Sequence, residues 1–173
     1  MSVHEHKKVT SSSINCKVIT ISDTRTKKND KSGQLMISLL EENGFTVKEY
    51  EIIKDETTSI EEAVRRGCTN KDIDVVLTNG GTGIAKRDVT IETVKKLLDK
   101  EIVGFGELFR MLSYTEDIGS AAILSRAIAG VCNDTAIFST PGSSGAVRLA
   151  MKKLILPELT HVISEIKKDI KKV

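Results

Sequence analysis

Three glycines fall within four positions at Gly80-Gly81-Thr82-Gly83, directly after Thr78-Asn79, and a carboxylate follows shortly at Asp88. Glycine carries no Cβ, so such a run turns tightly and brings its backbone against a ligand. Successive N–H groups exposed in a turn form a nest for an anion, typically phosphate. A carboxylate just beyond suits a metal ion or a basic group. The run equally fits a plain strand-to-helix turn, which glycine clusters also mark. It is not a Walker A loop, because no Gly-Lys-Ser/Thr follows, and it is not GxGxxG.

Other residues offer complementary chemistry. Pro141-Gly142-Ser143-Ser144-Gly145 leads into a helical stretch. Free amides and the positive dipole end there suit an anion, and a serine N-cap is the simpler reading of the same residues. Asp55 closes a strand-like segment. Asp55 and Asp88 are two carboxylates on loops that can share a Mg²⁺ ion, which takes oxygen ligands and usually bridges phosphates. Each also fits a loop acid or a helix cap. Ser22, Asp23 and Thr24 follow the first apolar segment and can bond a heterocycle, ligate a metal or cap a turn. Arg87, Arg110, Arg126 and Arg148 are candidates for holding phosphate. No Ser/His/Asp triad is credible, since His161 lies on the last helix.

The elements that must position these residues alternate. Residues 16–21 and 73–78 are apolar strand-like runs, and 45–53 alternates as a strand. A helical stripe over 33–42 ends at Asn43-Gly44. Ser59-Ile60-Glu61-Glu62 fits a capping box that opens a helix to Gly67, and Thr90 fits the cap of a helix over 91–98. Phe105, Phe109 and Leu112 stand at helical spacing on 103–114, packed either in the core or against another subunit. Residues 120–129 are rich in small residues and expected to be helical. Residues 131–140 predict two short strands about Asn133-Asp134, and 143–168 a long helix broken or kinked by Pro157. Alternating strands and helices define an α/β fold with a mostly parallel sheet. Ligands bind such sheets outside the carboxyl ends of the strands. The loops after residues 21, 78 and 140 all fall at such ends.

Composition narrows the function. The 173 residues suffice for one domain with a sizeable core, read as a polar tail over 1–13 and a single domain over 14–173. Net charge is +2, from 26 basic and 24 acidic residues, too balanced for nucleic-acid binding. No apolar run is long enough to span a membrane, and no signal peptide is visible. Cys16, Cys68 and Cys132 form no CxxC pair, as expected of idle thiols in a reducing cytoplasm.

Taken together, Ile21-Ser22-Asp23-Thr24, Asp55-Glu56, Thr78 to Gly83, Arg87-Asp88-Val89-Thr90 and Pro141-Gly142-Ser143 resemble the MoaB/MogA family of molybdenum cofactor biosynthesis proteins, whose relatives include the G domain of gephyrin. The likeness spans about residues 14–168, and the segment from Gly104 to Ser113 is nearest the MoaB branch. It departs at Asn79, where the family usually has glycine, and at Ile91, where it usually has proline. The resemblance implies a three-layer molybdopterin-binding α/β fold, a cytoplasmic homotrimer or hexamer, and binding of molybdopterin. In the catalytic branch it implies adenylyl transfer from Mg-ATP, giving adenylyl-molybdopterin and pyrophosphate, with a molybdate-insertion protein downstream. Asp55 and Asp88 match that branch's catalytic, Mg²⁺-holding acids. Asn79, Gly80, Gly81, Thr82 and Gly83 would cradle nucleotide phosphates. Ser22, Asp23, Thr24, Pro141, Gly142, Ser143 and Ser144 complete the binding set. A non-catalytic molybdopterin carrier or assembly protein is the alternative. Nucleotide hydrolysis, as in the CinA-related branch, is disfavoured by the segment 104–113.

Overall fold

Apolar runs with β-branched residues become the strands of one sheet. The strands are β1 (Asn15–Ile21), β2 (Thr46–Ile53), β3 (Val75–Asn79), β4 (Lys100–Glu101), β5 (Ile128–Cys132) and β6 (Thr135–Thr140), in the order β2-β1-β3-β6-β5-β4. The computed structural model describes residues 13–170. The expected tail over 1–13 lies outside the described residues except at Ser13, whose hydroxyl bonds Thr46 Oγ1 at 2.6 Å.

Strands β2, β1, β3 and β6 run parallel, while β5 is antiparallel to β6 and β4 antiparallel to β5. The helices are α1 (Lys31–Glu42), α2 (Thr57–Thr69), α3 (Thr90–Leu97), α4 (Val103–Ser113), α5 (Ser144–Ala150) and α6 (Leu156–Lys167). Side chains alternate across a strand, so each strand feeds two cores. Val18, Val75, Leu77, Ala136 and Phe138 meet Met36 and Leu40 of α1, Phe109 of α4, Val147 of α5 and Leu159 of α6. Ile19, Ile21, Val76 and Ile137 meet Ile60 and Val64 of α2 and Val94 of α3 on the other face. This is the three-layer arrangement expected.

Several boundaries differ from the sequence reading. Helix α2 starts at Thr57 with Glu56 as N-cap and no side-chain cap bond, so Ser59 sits inside the helix and no capping box forms. Thr90 is the first residue of α3 rather than its cap. Its amide donates to Gly81 O and its hydroxyl to Gly80 O, both at 3.0 Å, which fixes it to the glycine loop. The helix expected over 120–129 is a 3₁₀ turn at Gly119–Leu124, and β5 begins at Ile128. Pairing of Gly130 with Glu101 on one side and Ile137 on the other fixes 128–132 as strand. Asn133 and Asp134 take left-handed φ of 48° and 62° at the expected hairpin turn.

The long C-terminal helix is interrupted one turn before the proline. A π turn at Met151–Ile155 separates α5 from α6, and Pro157 falls in the first turn of α6, where a missing N–H is tolerated. Phe105 and Phe109 lie in the core, Phe105 edge-on to Phe138 at 5.3 Å between ring centres. The outer face of α4 instead exposes Leu108 and Met111, continued by Tyr114, Ile118, Ile123 and Leu124. All three cysteines are buried free thiols. Burial pushes the Cys16 thiol up to about 12, with the nearby Asp74 charge adding to it.

Candidate active site

Four adjacent parallel strands end on the same edge, in the order β2, β1, β3, β6. Their carboxyl-end loops carry Asp55, Ser22 to Arg25, Gly80 to Gly83 and Pro141 to Ser144. The register aligns Thr20 with Asn79 and Asn79 with Thr140, so these loops leave the sheet at one level. They border an open cleft of about 530 Å³ lined by Ser22, Thr24, Gly80 to Gly83, Asp88, Pro141 and Gly142. That volume suits a small organic ligand. The opposite wall is apolar, from Ile118, Ala121 and Leu124. A groove of about 770 Å³ at the β4 edge contains none of the predicted site residues.

The glycine loop needs its glycines. Gly80 has φ 103° and Gly81 φ 65°, a region that side chains rarely adopt. A Cβ on Gly81 would also lie 2.8 Å from Asp55 Oδ1. Asp88 packs beneath Gly83, and its Oδ2 accepts from the Ala85 amide at 2.9 Å. Both proposed acids therefore pack against the loop, Asp55 at Gly81 and Asp88, which also lines the cleft, at Gly83. Asp55 Oδ1 is a buried side-chain atom without a hydrogen-bond partner among the described residues. Burial raises the Asp55 pKa, and the Asp88 charge raises it further against one opposing bond from the Val89 amide.

The other predicted residues divide into lining and supporting groups. Ser22 Oγ accepts from the amides of Thr24 and Arg25 at 3.3 and 3.2 Å, capping the turn it lines. Asp23 is exposed; its Oδ1 takes the Asp55 amide at 3.1 Å and its Oδ2 pairs with Arg87. Ser143 caps α5, its Oγ accepting from Ala146 N at 3.2 Å, and Ser144 is that helix's first residue. Asn79 is fully buried behind the loop. Its Nδ2 donates to Thr20 Oγ1 at 3.0 Å, and its Oδ1 accepts from Ser32 Oγ at 2.8 Å. The asparagine in place of glycine thus ties β3 to β1 and α1. Among the four candidate arginines, none lines the cleft.

Sequence reasoning missed the network beneath the floor. Asp30, 1% exposed, accepts from Thr20 Oγ1 and Tyr50 Oη at 2.6 Å each and from Gly33 N at 3.1 Å. Arg25 lines the cleft and reaches Asp30, Ser32 and Asn79, while its second guanidinium nitrogen donates to Gly142 O at 2.8 Å. It joins two of the four loops to the end of β3. Its place in the run Ser22 to Arg25 was the one available signal. Arg126 was weighed only as a phosphate ligand, yet it bonds the carbonyls of Thr82 and Gly83 at 3.0 and 2.6 Å.

The doubly covered, mostly parallel sheet, with an amide-rich loop and two acids at its carboxyl edge, defines a three-layer α/β protein with a ligand-sized cleft at that edge. Comparison with known proteins makes that class specific. Residues 17–161 match the family described as a probable molybdopterin binding domain. Molybdenum cofactor biosynthesis protein B of Bacillus subtilis (strain 168) is 64% identical, covering 98% of this chain and 99% of the relative. The crystal structure of a molybdenum cofactor biosynthesis protein B superposes with TM-score 0.90 at 63% identity, covering 92% of this chain and 99% of that one. The tungsten cofactor synthesizing protein MoaB from Pyrococcus furiosus gives TM-score 0.78 at 37% identity, covering 91% and 99%. The chain belongs to the MoaB/MogA family, and its work lies in molybdenum cofactor biosynthesis.

Proposed function

We propose that the protein binds molybdopterin and adenylylates it with Mg-ATP. The observation that carries this is the orphaned Asp55 Oδ1 against Gly81, with the Asp88 carboxylate against Gly83 of the same loop and near enough to act on the Asp55 charge. Two carboxylates set against one glycine loop, one with an unmet oxygen, suit a divalent cation. Among the described residues no group of three His, Cys, Asp or Glu could cage a metal alone. Mg²⁺ needs no such cage, since one or two carboxylates plus substrate phosphates usually hold it. Asp55 and Asp88 are the residues that would do so, and the bound ion would neutralise phosphate charge during transfer.

The cleft walls support a division of labour. The amides of Gly81 to Gly83 suit nucleotide phosphates, and the apolar wall of Ile118, Ala121 and Leu124 suits a flat heterocycle. An oxygen of the pterin's terminal phosphate forms the new bond to the α-phosphorus. The bond from that phosphorus to the bridging oxygen breaks, and pyrophosphate leaves. Such transfer depends on alignment and charge neutralisation more than on a covalent nucleophile.

The exposed face formed by Leu108, Met111, Tyr114 and Ile123 supports self-association into a trimer or hexamer, because patches of this kind mark protein contacts. No described helix is long and apolar enough to cross a membrane.

The test is formation of pyrophosphate and adenylyl-pterin from purified protein, molybdopterin and Mg-ATP, with Asp88→Asn alongside. Product from the wild type and a loss of at least about a hundredfold in the variant are expected, the order of one strong transition-state contact. Pterin binding without product would refute transfer and leave a carrier.

A further inference from the structure

The glycine loop has an ordered back. Gly80 O accepts from the Thr90 hydroxyl and Gly81 O from the Thr90 amide, both at 3.0 Å. Thr82 O accepts from Arg126 Nε at 3.0 Å, and Gly83 O from an Arg126 terminal nitrogen at 2.6 Å. All four carbonyls are therefore held by Thr90 and Arg126, neither of which lines the cleft. In a trans peptide the carbonyl of one residue and the N–H of the next point in opposite directions. The amides of Gly81, Thr82, Gly83 and Ile84 donate to no atom among the described residues. Gly80 to Gly83 line the cleft, so the nest is turned toward it.

Arg126 is itself held. Its guanidinium pairs with both carboxylate oxygens of Glu92, in the first turn of α3. The same helix supplies Thr90. Helix α3 and Arg126 thus grip the two halves of the loop, and the Glu92 contact joins the grips. Arg126 has two donors engaged on carbonyls, which an ammonium at the same place cannot reproduce in geometry.

We propose that Arg126, anchored by Glu92, is a positioning residue that sets the anion affinity of the glycine loop by holding the Thr82 and Gly83 carbonyls outward, so that the Gly83 and Ile84 amides face the phosphate. This rests on the reading above that the cleft takes nucleotide phosphate. Arg126 acts through the loop and not as a charge on the ligand.

Substitutions separate the two roles. Calorimetric binding of Mg-ATP and of inorganic pyrophosphate is measured for the wild type, Arg126→Lys, Arg126→Gln, Glu92→Gln and the surface control Arg66→Gln. Thermal melts check folding, and amide chemical shifts of Gly83 and Ile84 are recorded without ligand. Arg126→Lys keeps the charge and is expected to weaken binding by about tenfold or more, the order of one charge-assisted hydrogen bond. Arg126→Gln falls to a similar degree, Glu92→Gln lies between, and Arg66→Gln binds as the wild type. The Gly83 and Ile84 amides shift in Arg126→Lys. Binding retained in Arg126→Lys but lost in Arg126→Gln would show a charge effect and overturn the proposal. If the wild type binds neither probe, the phosphate reading fails by itself. Unmoved loop amides in Arg126→Lys would then overturn the clamp as well, and displaced amides would sustain it.

Discussion

Asp30→Asn removes the charge at the centre of the polar network beneath the cleft. The wild-type carboxylate accepts from Thr20 and Tyr50 through Oδ2 and from Gly33 N, Ser32 and Arg25 through Oδ1. An asparagine that keeps its oxygen toward Gly33 turns its NH₂ onto the Thr20 and Tyr50 hydroxyls. Thr20 Oγ1 already accepts from Asn79, so its proton has nowhere else to go. A buried hydroxyl deprived of its acceptor costs about 1–3 kcal/mol, which applies in full to Thr20 and less to the partly exposed Tyr50, giving a loss of roughly 3 kcal/mol. For a chain of this length that lowers Tm by about 6–12 °C. The effect depends on pH with a definite sign. Burial alone would raise the Asp30 pKa, but the bonds from Thr20, Tyr50 and Gly33 and the Arg25 charge outweigh it and hold it below the ordinary value. Its contribution is therefore complete above the unfolded carboxyl value of about 4 and is lost as pH falls through the lower folded value. Thermal melts from pH 7 to pH 3 test this by circular dichroism, the chain having no tryptophan. A loss under about 1 kcal/mol at pH 7, or an acid limb in the variant as steep as in the wild type, would refute the reasoning.

Asp55→Asn has the opposite sign. Burial and the Asp88 charge raise the folded pKa of Asp55, so the ionised form opposes folding at neutral pH and stability recovers as pH falls through that value. The ligand-free variant should melt slightly above the wild type at pH 7, by no more than about 1 kcal/mol for this half-buried group, yet lose the stabilisation that Mg-ATP gives. A variant less stable than the wild type without ligand would count against the orphaned-oxygen reading. Met111→Glu on the exposed α4 face should reduce the mass seen by light scattering to that of one chain, with melting little changed. An unchanged oligomer would remove that face from the interface.

Much of the site was legible because its chemistry is local. The glycine run, Ser22 and the Pro141 to Ser144 turn declare themselves within a few residues, and strand direction then brings them to one edge. Long-range partners left no such trace. Asp30 lies in Thr26-Lys27-Lys28-Asn29-Asp30, a stretch that resembles a solvated loop, and only the approach of Thr20 and Tyr50 buries it. Arg126 sits among small residues, and its role is set by carbonyls more than forty positions earlier. The small residues of Ser120 to Ala129 suggest a helix that would run over Ile128 and Ala129, the first two residues of β5, while the strands expected over 131–140 contain its Val131 and Cys132. Its backbone is decided by pairing with β6 and the two-residue β4. The apolar spacing of α4 was visible, but both its faces are apolar, and only packing tells the core side from the exposed one.

The π turn at Met151–Ile155 acts as a phase correction. From Met151 onward the buried positions recur every fourth residue, at Ile155, Leu159 and Ile163. An α-helix advances about 100° per residue, so a four-residue repeat drifts about 40° each time and would carry Ile163 far round from Val147. One surplus residue in a wide turn sets the phase back by about 100°. The stripe begun by Ala146, Val147 and Ala150 is thereby restored to the sheet, and the last turn arrives with Lys167 against Asp74. Asp74 also receives the Asn15 amide at 2.8 Å, where β1 begins. The same residues wound as a regular α-helix would carry Lys167 about 1.5 Å farther along the axis and about 100° round, to the wrong side. The single irregular turn lets the end of the chain be latched to the start of its first strand.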